Sequence, residues 1–142
     1  MVNIVQTDEG DFELEGVNGQ GYGWLPATVS YHHASNATNV AIVANRAMRV
    51  KAIIGRVQAA GTDGGAVTAT VYKAPSATAI ASGTALHSGT FNLKGTASTN
   101  QTLTLSTTAG VLDIAAGDTI GIILTGTLTT ATGGITIALT PR

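Results

Sequence analysis

The chain has no cysteine, three prolines, 4% aromatic residues and 11% charged residues in a length of 142. Without cysteine there is no disulfide framework, no thiolate metal site and no thiol nucleophile. Few charges and a net charge of −1 remove the electrostatic footprint that nucleic acid or an anionic membrane demands, so neither is expected as a partner. No apolar run approaches the ~20 residues of a membrane-spanning helix. The opening residues, Met1-Val2-Asn3-Ile4-Val5-Gln6-Thr7-Asp8-Glu9, lack a basic stretch followed by an apolar one, so no secretory leader is expected. What the chain does have is 44% hydrophobic residues and 18 glycines. That apolar content excludes a disordered chain, and the length suits one domain, or one domain plus an arm, that buries about two-thirds of its unfolded surface.

The charges are segregated. Asp8, Glu9, Asp11, Glu13 and Glu15 are five of the eight acids, while Arg46, Arg49, Lys51 and Arg56 are four of the seven bases. After Asp63 the chain is nearly uncharged and rich in Thr, Ala, Gly and aliphatics. This divides it into an N-terminal arm, residues 1–38, and a body, residues 39–142. The arm carries Gly16, Gly19, Gly21 and Gly23, a density that makes regular structure costly in backbone entropy. It is expected to be extended and to gain order by packing on a surface.

The body is patterned as strands. Val40-Ala41-Ile42-Val43-Ala44 is a short apolar run. From Met48 the sequence alternates, with Met48, Val50, Ala52 and Ile54 on one face and Arg49 and Lys51 on the other, the period of a half-buried strand. Gly61-Thr62-Asp63-Gly64-Gly65 is a turn cluster, and Val67, Ala69 and Val71 alternate inward after it. Two alternating strands around an Asp-Gly turn predict a hairpin. A break at Ala74-Pro75-Ser76-Ala77-Thr78 leads into a long loop or short helical turn reaching Leu86. Further strands are expected at 89–93, 101–106, 118–125 and 134–140, with Leu103, Leu105, Ile135, Ile137 and Leu139 inward. About eight short strands with turn signals between them indicate an all-β antiparallel sandwich or jelly roll, and helix signals are weak.

Candidate chemistry is sparse. His32 and His33 are adjacent, and His87 is far away; neighbours in a strand point to opposite faces, so no metal site is expected. There is no Gly-x-Ser-x-Gly elbow. Asp63, Asp113 and Asp118 are isolated carboxylates, and Asp118, in Ala115-Ala116-Gly117-Asp118, is expected to bond turn backbone amides. Gly19-Gln20-Gly21-Tyr22-Gly23-Trp24 lacks the spacing of a phosphate loop. No enzyme, cofactor or metal is therefore expected. Asn36-Ala37-Thr38 and Asn100-Gln101-Thr102 match the glycosylation sequon, as a Thr-rich chain does by chance. Tyr22, Trp24 and Tyr31 gather half of the aromatic residues outside the expected strands; they suit protein anchors, a sugar platform or a plug at one end of the sandwich. Arg46, Arg49 and Lys51, with Arg56, suit a solvated strand face or one that meets an acidic surface on a partner.

The order Val40–Asn45, Arg49–Val57, Ala60-Gly61-Thr62-Asp63-Gly64-Gly65-Ala66-Val67, Lys73-Ala74-Pro75-Ser76, Gly83-Thr84-Ala85-Leu86 and Ala116-Gly117-Asp118 resembles the jelly-roll cement (decoration) proteins of tailed bacteriophages, of the Bordetella phage type. The resemblance covers residues 39–142. It implies a structural virion protein on the outer capsid surface that bridges major capsid protein subunits, works as a homodimer and has no catalytic residues. The alternative is a receptor- or glycan-binding module of a phage tail fibre. Interface residues are expected at Tyr22, Trp24 and Tyr31 on the arm, and at Arg46, Arg49 and Lys51 on the basic strand.

Overall fold

A computed structural model describes the backbone of residues 3–6, 12–15 and 25–32, and the whole of residues 38–142. Twelve strands are described: β1 (Asn3–Gln6), β2 (Phe12–Glu15), β3 (Leu25–His32), β4 (Thr38–Val43), β5 (Met48–Ala59), β6 (Thr68–Ala74), β7 (Thr84–Ala85), β8 (Phe91–Asn92), β9 (Thr99–Thr102), β10 (Asp113–Ile114), β11 (Thr119–Thr125) and β12 (Thr132–Pro141). A single 3-10 turn, Ile80–Ser82, precedes β7, and no α-helix occurs among the described residues.

The strands pair in a nested order. β3 pairs with β12, β4 with β11, β5 with β9 and β10, and β6 with β7 and β8, all antiparallel. Two further ladders, β12 with β5 and β11 with β6, join these pairs into two sheets. One sheet runs β3–β12–β5, with β9 and β10 along the far edge of β5; the other runs β4–β11–β6, with β7 and β8 along β6. A long hairpin rolled on itself gives this order, and it is the jelly roll. β1 and β2 pair with each other as a separate two-stranded sheet. β3 begins at Leu25, so the first sheet takes in residues that the sequence pattern assigns to the arm.

Aliphatic rows from both sheets form one core. Met48, Val50 and Ile53 from β5 and Ile135, Ile137 and Leu139 from β12 meet Ala69 and Val71 from β6 and Ile120, Ile122 and Leu124 from β11. Phe91 fills the space over Gly55, where an added Cβ would stand 2.7 Å from its ring. The expected inward rows at Val67, Ala69 and Val71 and at Ile135, Ile137 and Leu139 are buried as their alternation indicates, and Leu103 and Leu105 pack half-buried against them.

Two expectations are corrected. β5 and β6 do not form a hairpin. Both long edges of β5 are occupied, by β12 and by β9 and β10, while β6 belongs to the other sheet. Residues 60–67 therefore cross between layers, a span that eight residues cover easily. Asp63 anchors this crossing instead of turning a hairpin: it accepts the Thr129 hydroxyl and, at 2.9 Å, the Thr129 backbone N–H. Ile54 does not share a face with Met48 and Val50. The β5–β12 register slips between Ala138, opposite Ala52, and Leu139, opposite Val50. Lys51 is the extra residue of a β-bulge, and a bulge shifts the two-residue period by one. Ile53, Gly55 and Val57 turn inward beyond it, and Ile54 is left 41% exposed.

Candidate functional site

The bulge builds the most distinctive surface of the molecule. Arg49 and Lys51 precede the slip and Arg56 follows it, so an unbroken alternation would separate them. The slip brings all three to the outward side of β5, around Ile54. Lys51 and Arg56 are exposed, and Arg49 is half-buried. Arg56 donates to the Asn100 side chain on β9, its opposite number in register, at 3.1 Å. The result is a row along one strand in which exposed Ile54 stands between Lys51 and Arg56.

One end of this face carries a three-residue ion cluster. Arg49 donates to Asp113 on β10 at 2.6 Å, and Arg142 reaches the other carboxylate oxygen at 2.7 Å. The Arg142 backbone N–H also bonds Ala47, which fixes residue 142 beside the start of β5. Two guanidiniums on one carboxylate leave the cluster net positive. Lys73 approaches the same connection from the second sheet, donating to the carbonyls of Asp113 and Gly110 at 2.7 and 3.0 Å.

Of the expected interface residues, Arg49 and Lys51 are together on this face. Arg46 lies exposed in the bend between β4 and β5. Tyr31 is in β3, in register with Gly133 of β12. Tyr22 and Trp24 lie outside the described residues, as does His33. Sequence reasoning missed Ile54, which it placed in the core, and Arg142, which no local pattern connects to β5. The Ile53-Ile54 doublet was a usable signal for the first, because a repeated aliphatic interrupts strict alternation.

Among the described residues, Asp118, Lys94, Asp63 and His87 are engaged in the fold. Asp118 accepts the Ala115 N–H at 2.9 Å and returns its own N–H to the Ala115 carbonyl. Gly117, at φ +90°, supplies the positive φ that the third position of a type II turn requires, and Asp118 has the turn role expected of it. Lys94 donates to the carbonyls of Asp63 and Gly65. The Thr129 hydroxyl bond, with the Thr129 N–H, holds the Asp63 carboxyl below its ordinary value. His87 is buried, its Nε2 accepting the Val71 N–H at 2.9 Å and its ring meeting Phe91 edge-on at 5.5 Å. With Nε2 as acceptor, the proton belongs on Nδ1, which faces the Ser88 carbonyl. Burial pushes this imidazole below its usual pKa. Beside it lies a shallow groove of about 240 Å³ edged by Ser88, Thr104 and Ser106. Among the described residues, no three His, Asp or Glu side chains group closely enough to hold a metal ion.

No family model and no curated protein matches this chain. Among solved structures, that of the infectious bursal disease virus Gx strain is similar over 84% of this chain, at 14% identity and a TM-score of 0.30. The chain spans 30% of the length of that viral chain. A likeness of that size assigns neither function nor partner.

Proposed function

We propose that this protein is a structural component of a virion, a cement protein that binds the outer surface of a tailed-phage capsid and stabilises it by bridging major capsid protein subunits. The observation that carries the reading is where the cement-like segments fall on the jelly roll. Residues 60–67 cross between the layers and are pinned through Asp63 to Thr129. Residues 83–86 enter and follow β7, with the Leu86 N–H bonded to the Val71 carbonyl. Residues 116–118 form the turn closed by Asp118. Three of the six segments that carry the resemblance thus lie at connections of the roll, and the others in β4, β5 and the end of β6.

A rigid block that touches two neighbours resists their separation in proportion to the interface it buries, and a capsid lattice repeats each such contact many times. Tyr22, Trp24 and Tyr31 supply aromatic anchors, while Arg46, Arg49 and Lys51 supply a cationic rim that steers association. No chemical step is involved. The test is electron microscopy of virions of the encoding phage, labelled for this protein, together with binding of the full-length Trp24→Ala chain to undecorated shells. Label spread over the shell and reduced occupancy by the variant are expected. Label at the tail tip, with saturable sugar binding lost in Trp24→Ala, overturns the reading in favour of a tail-fibre module.

A further inference from the structure

We propose that the acidic N-terminal hairpin of one copy docks on the basic outward face of β5 in a second copy, so that two chains exchange hairpins in a homodimer. The inference concerns self-association and holds whether or not the protein coats a shell.

The first argument is charge. Residues 1–37 contain five acids and no base, net −5, whereas residues 38–142 contain all seven bases and three acids, net +4. The three body acids are already engaged: Asp63 by Thr129, Asp118 by Ala115, and Asp113 by two guanidiniums. Lys51 makes no ion pair among the described residues, and the carboxylates that complement this face are those of the N-terminal segment.

The second argument is composition. In the β1–β2 register, Ile4 stands opposite Leu14 and Gln6 opposite Phe12, while Asn3 stands opposite Glu15 and Val5 opposite Glu13. Successive pairs fall on opposite faces of the ribbon, so one face holds Val5 with Glu13 and Glu15, and the other holds Ile4, Leu14 and Phe12. The outward side of β5 offers the counterpart to the first of these faces, exposed Ile54 in a row between Lys51 and Arg56. A desolvated apolar centre with complementary charges around it is the usual anatomy of a protein interface.

The third argument is stability. Each strand of the hairpin has four residues, and a lone two-stranded ribbon is marginal in water. Among the described strands of their own chain, β1 and β2 pair only with each other. A second copy supplies the missing surface, and two-fold exchange makes the same contact twice and closes the assembly.

The test is sedimentation of the full-length chain at low and high salt. The wild type is expected to be dimeric at low salt and to dissociate as salt rises. Lys51→Glu/Arg56→Glu and Glu13→Lys/Glu15→Lys, each checked by circular dichroism for retained strand content, are expected to weaken the dimer by at least about tenfold, as close opposite charges across an interface do. Mixed in equal amounts, the two variants are expected to form a heterodimer, because each contact again joins opposite charges. If either reversal unfolds the chain, the Gln variants at the same positions replace it and are expected to weaken the dimer less. The proposal is overturned by a wild type that stays monomeric at low salt, by a dimer indifferent to both reversals, or by two monomeric variants that remain monomeric on mixing. The last result places the hairpin on its own chain.

Discussion

A methyl group at position 55 would stand 2.7 Å from Cδ1 of Phe91 and 2.9 Å from Cε1, inside the distance at which carbon atoms repel. Phe91 is 1% exposed and packed within the core cluster. Gly55→Ala is therefore expected to destabilise by about 1–3 kcal/mol through overpacking, measured by urea unfolding. Adding Phe91→Leu should recover part of that loss, giving a non-additive pair. His87 supplies a second prediction. Its folded pKa lies below the usual 6.5, so as pH falls the unfolded chain takes up this proton first. Its contribution to stability is complete above about pH 7 and declines as pH drops below 6.5 toward the lowered folded value. His87→Gln should show a shallower fall in melting temperature between pH 7.5 and 5 than the wild type. The turn role of Asp118 was legible because it depends on residues three positions apart. The burial of His87 was not, because its partner, the Val71 N–H, is reached only through tertiary pairing.

At the scale of the strand, β5 combines a legible half with an illegible one. The sequence from Met48 to Val50 alternates as a half-buried strand does, and the structure follows it. Past Lys51 the pattern inverts, because the bulge is defined by the register of β12, whose Ala138 and Leu139 face Ala52 and Val50 from far along the sequence. Two substitutions read that inversion directly. Ile53 is 0% exposed and Ile54 41%, so Ile53→Ala is expected to cost about 2–5 kcal/mol as a buried cavity. Ile54→Ala should stay within about 0.5 kcal/mol in the isolated chain, as surface substitutions do. If chemical denaturation finds equal costs, the register is not as described. The same bulge determines the candidate surface. The basic residues were visible as a cluster in sequence, but their common face, and the aliphatic residue among them, required the slip.

For the whole molecule, the nested pairing is the least legible property. Alternation identifies strands one at a time and carries no information about which distant strand lies alongside. Thus the expected composition of the sandwich agrees with the structure, whereas the expected β5–β6 hairpin does not. Nesting also has a kinetic signature. β3 meets β12 across more than a hundred residues of chain, and folds dominated by such distant contacts form slowly. Refolding from denaturant, followed by stopped-flow fluorescence of Trp24 or by circular dichroism, is expected to take milliseconds to seconds rather than the microseconds of small helical bundles. Completion within microseconds would contradict the nested order.

Of the described strands β12 is the last to be translated, and its place is between β3 and β5. Until it arrives β3 lacks its partner and β5 has only β9 and β10 beside it, so the oily side of that sheet stays incomplete in the nascent polypeptide. A chain cut short before Thr132 would thus be a product fit for chaperones and proteases, with no half-strength version of the finished block.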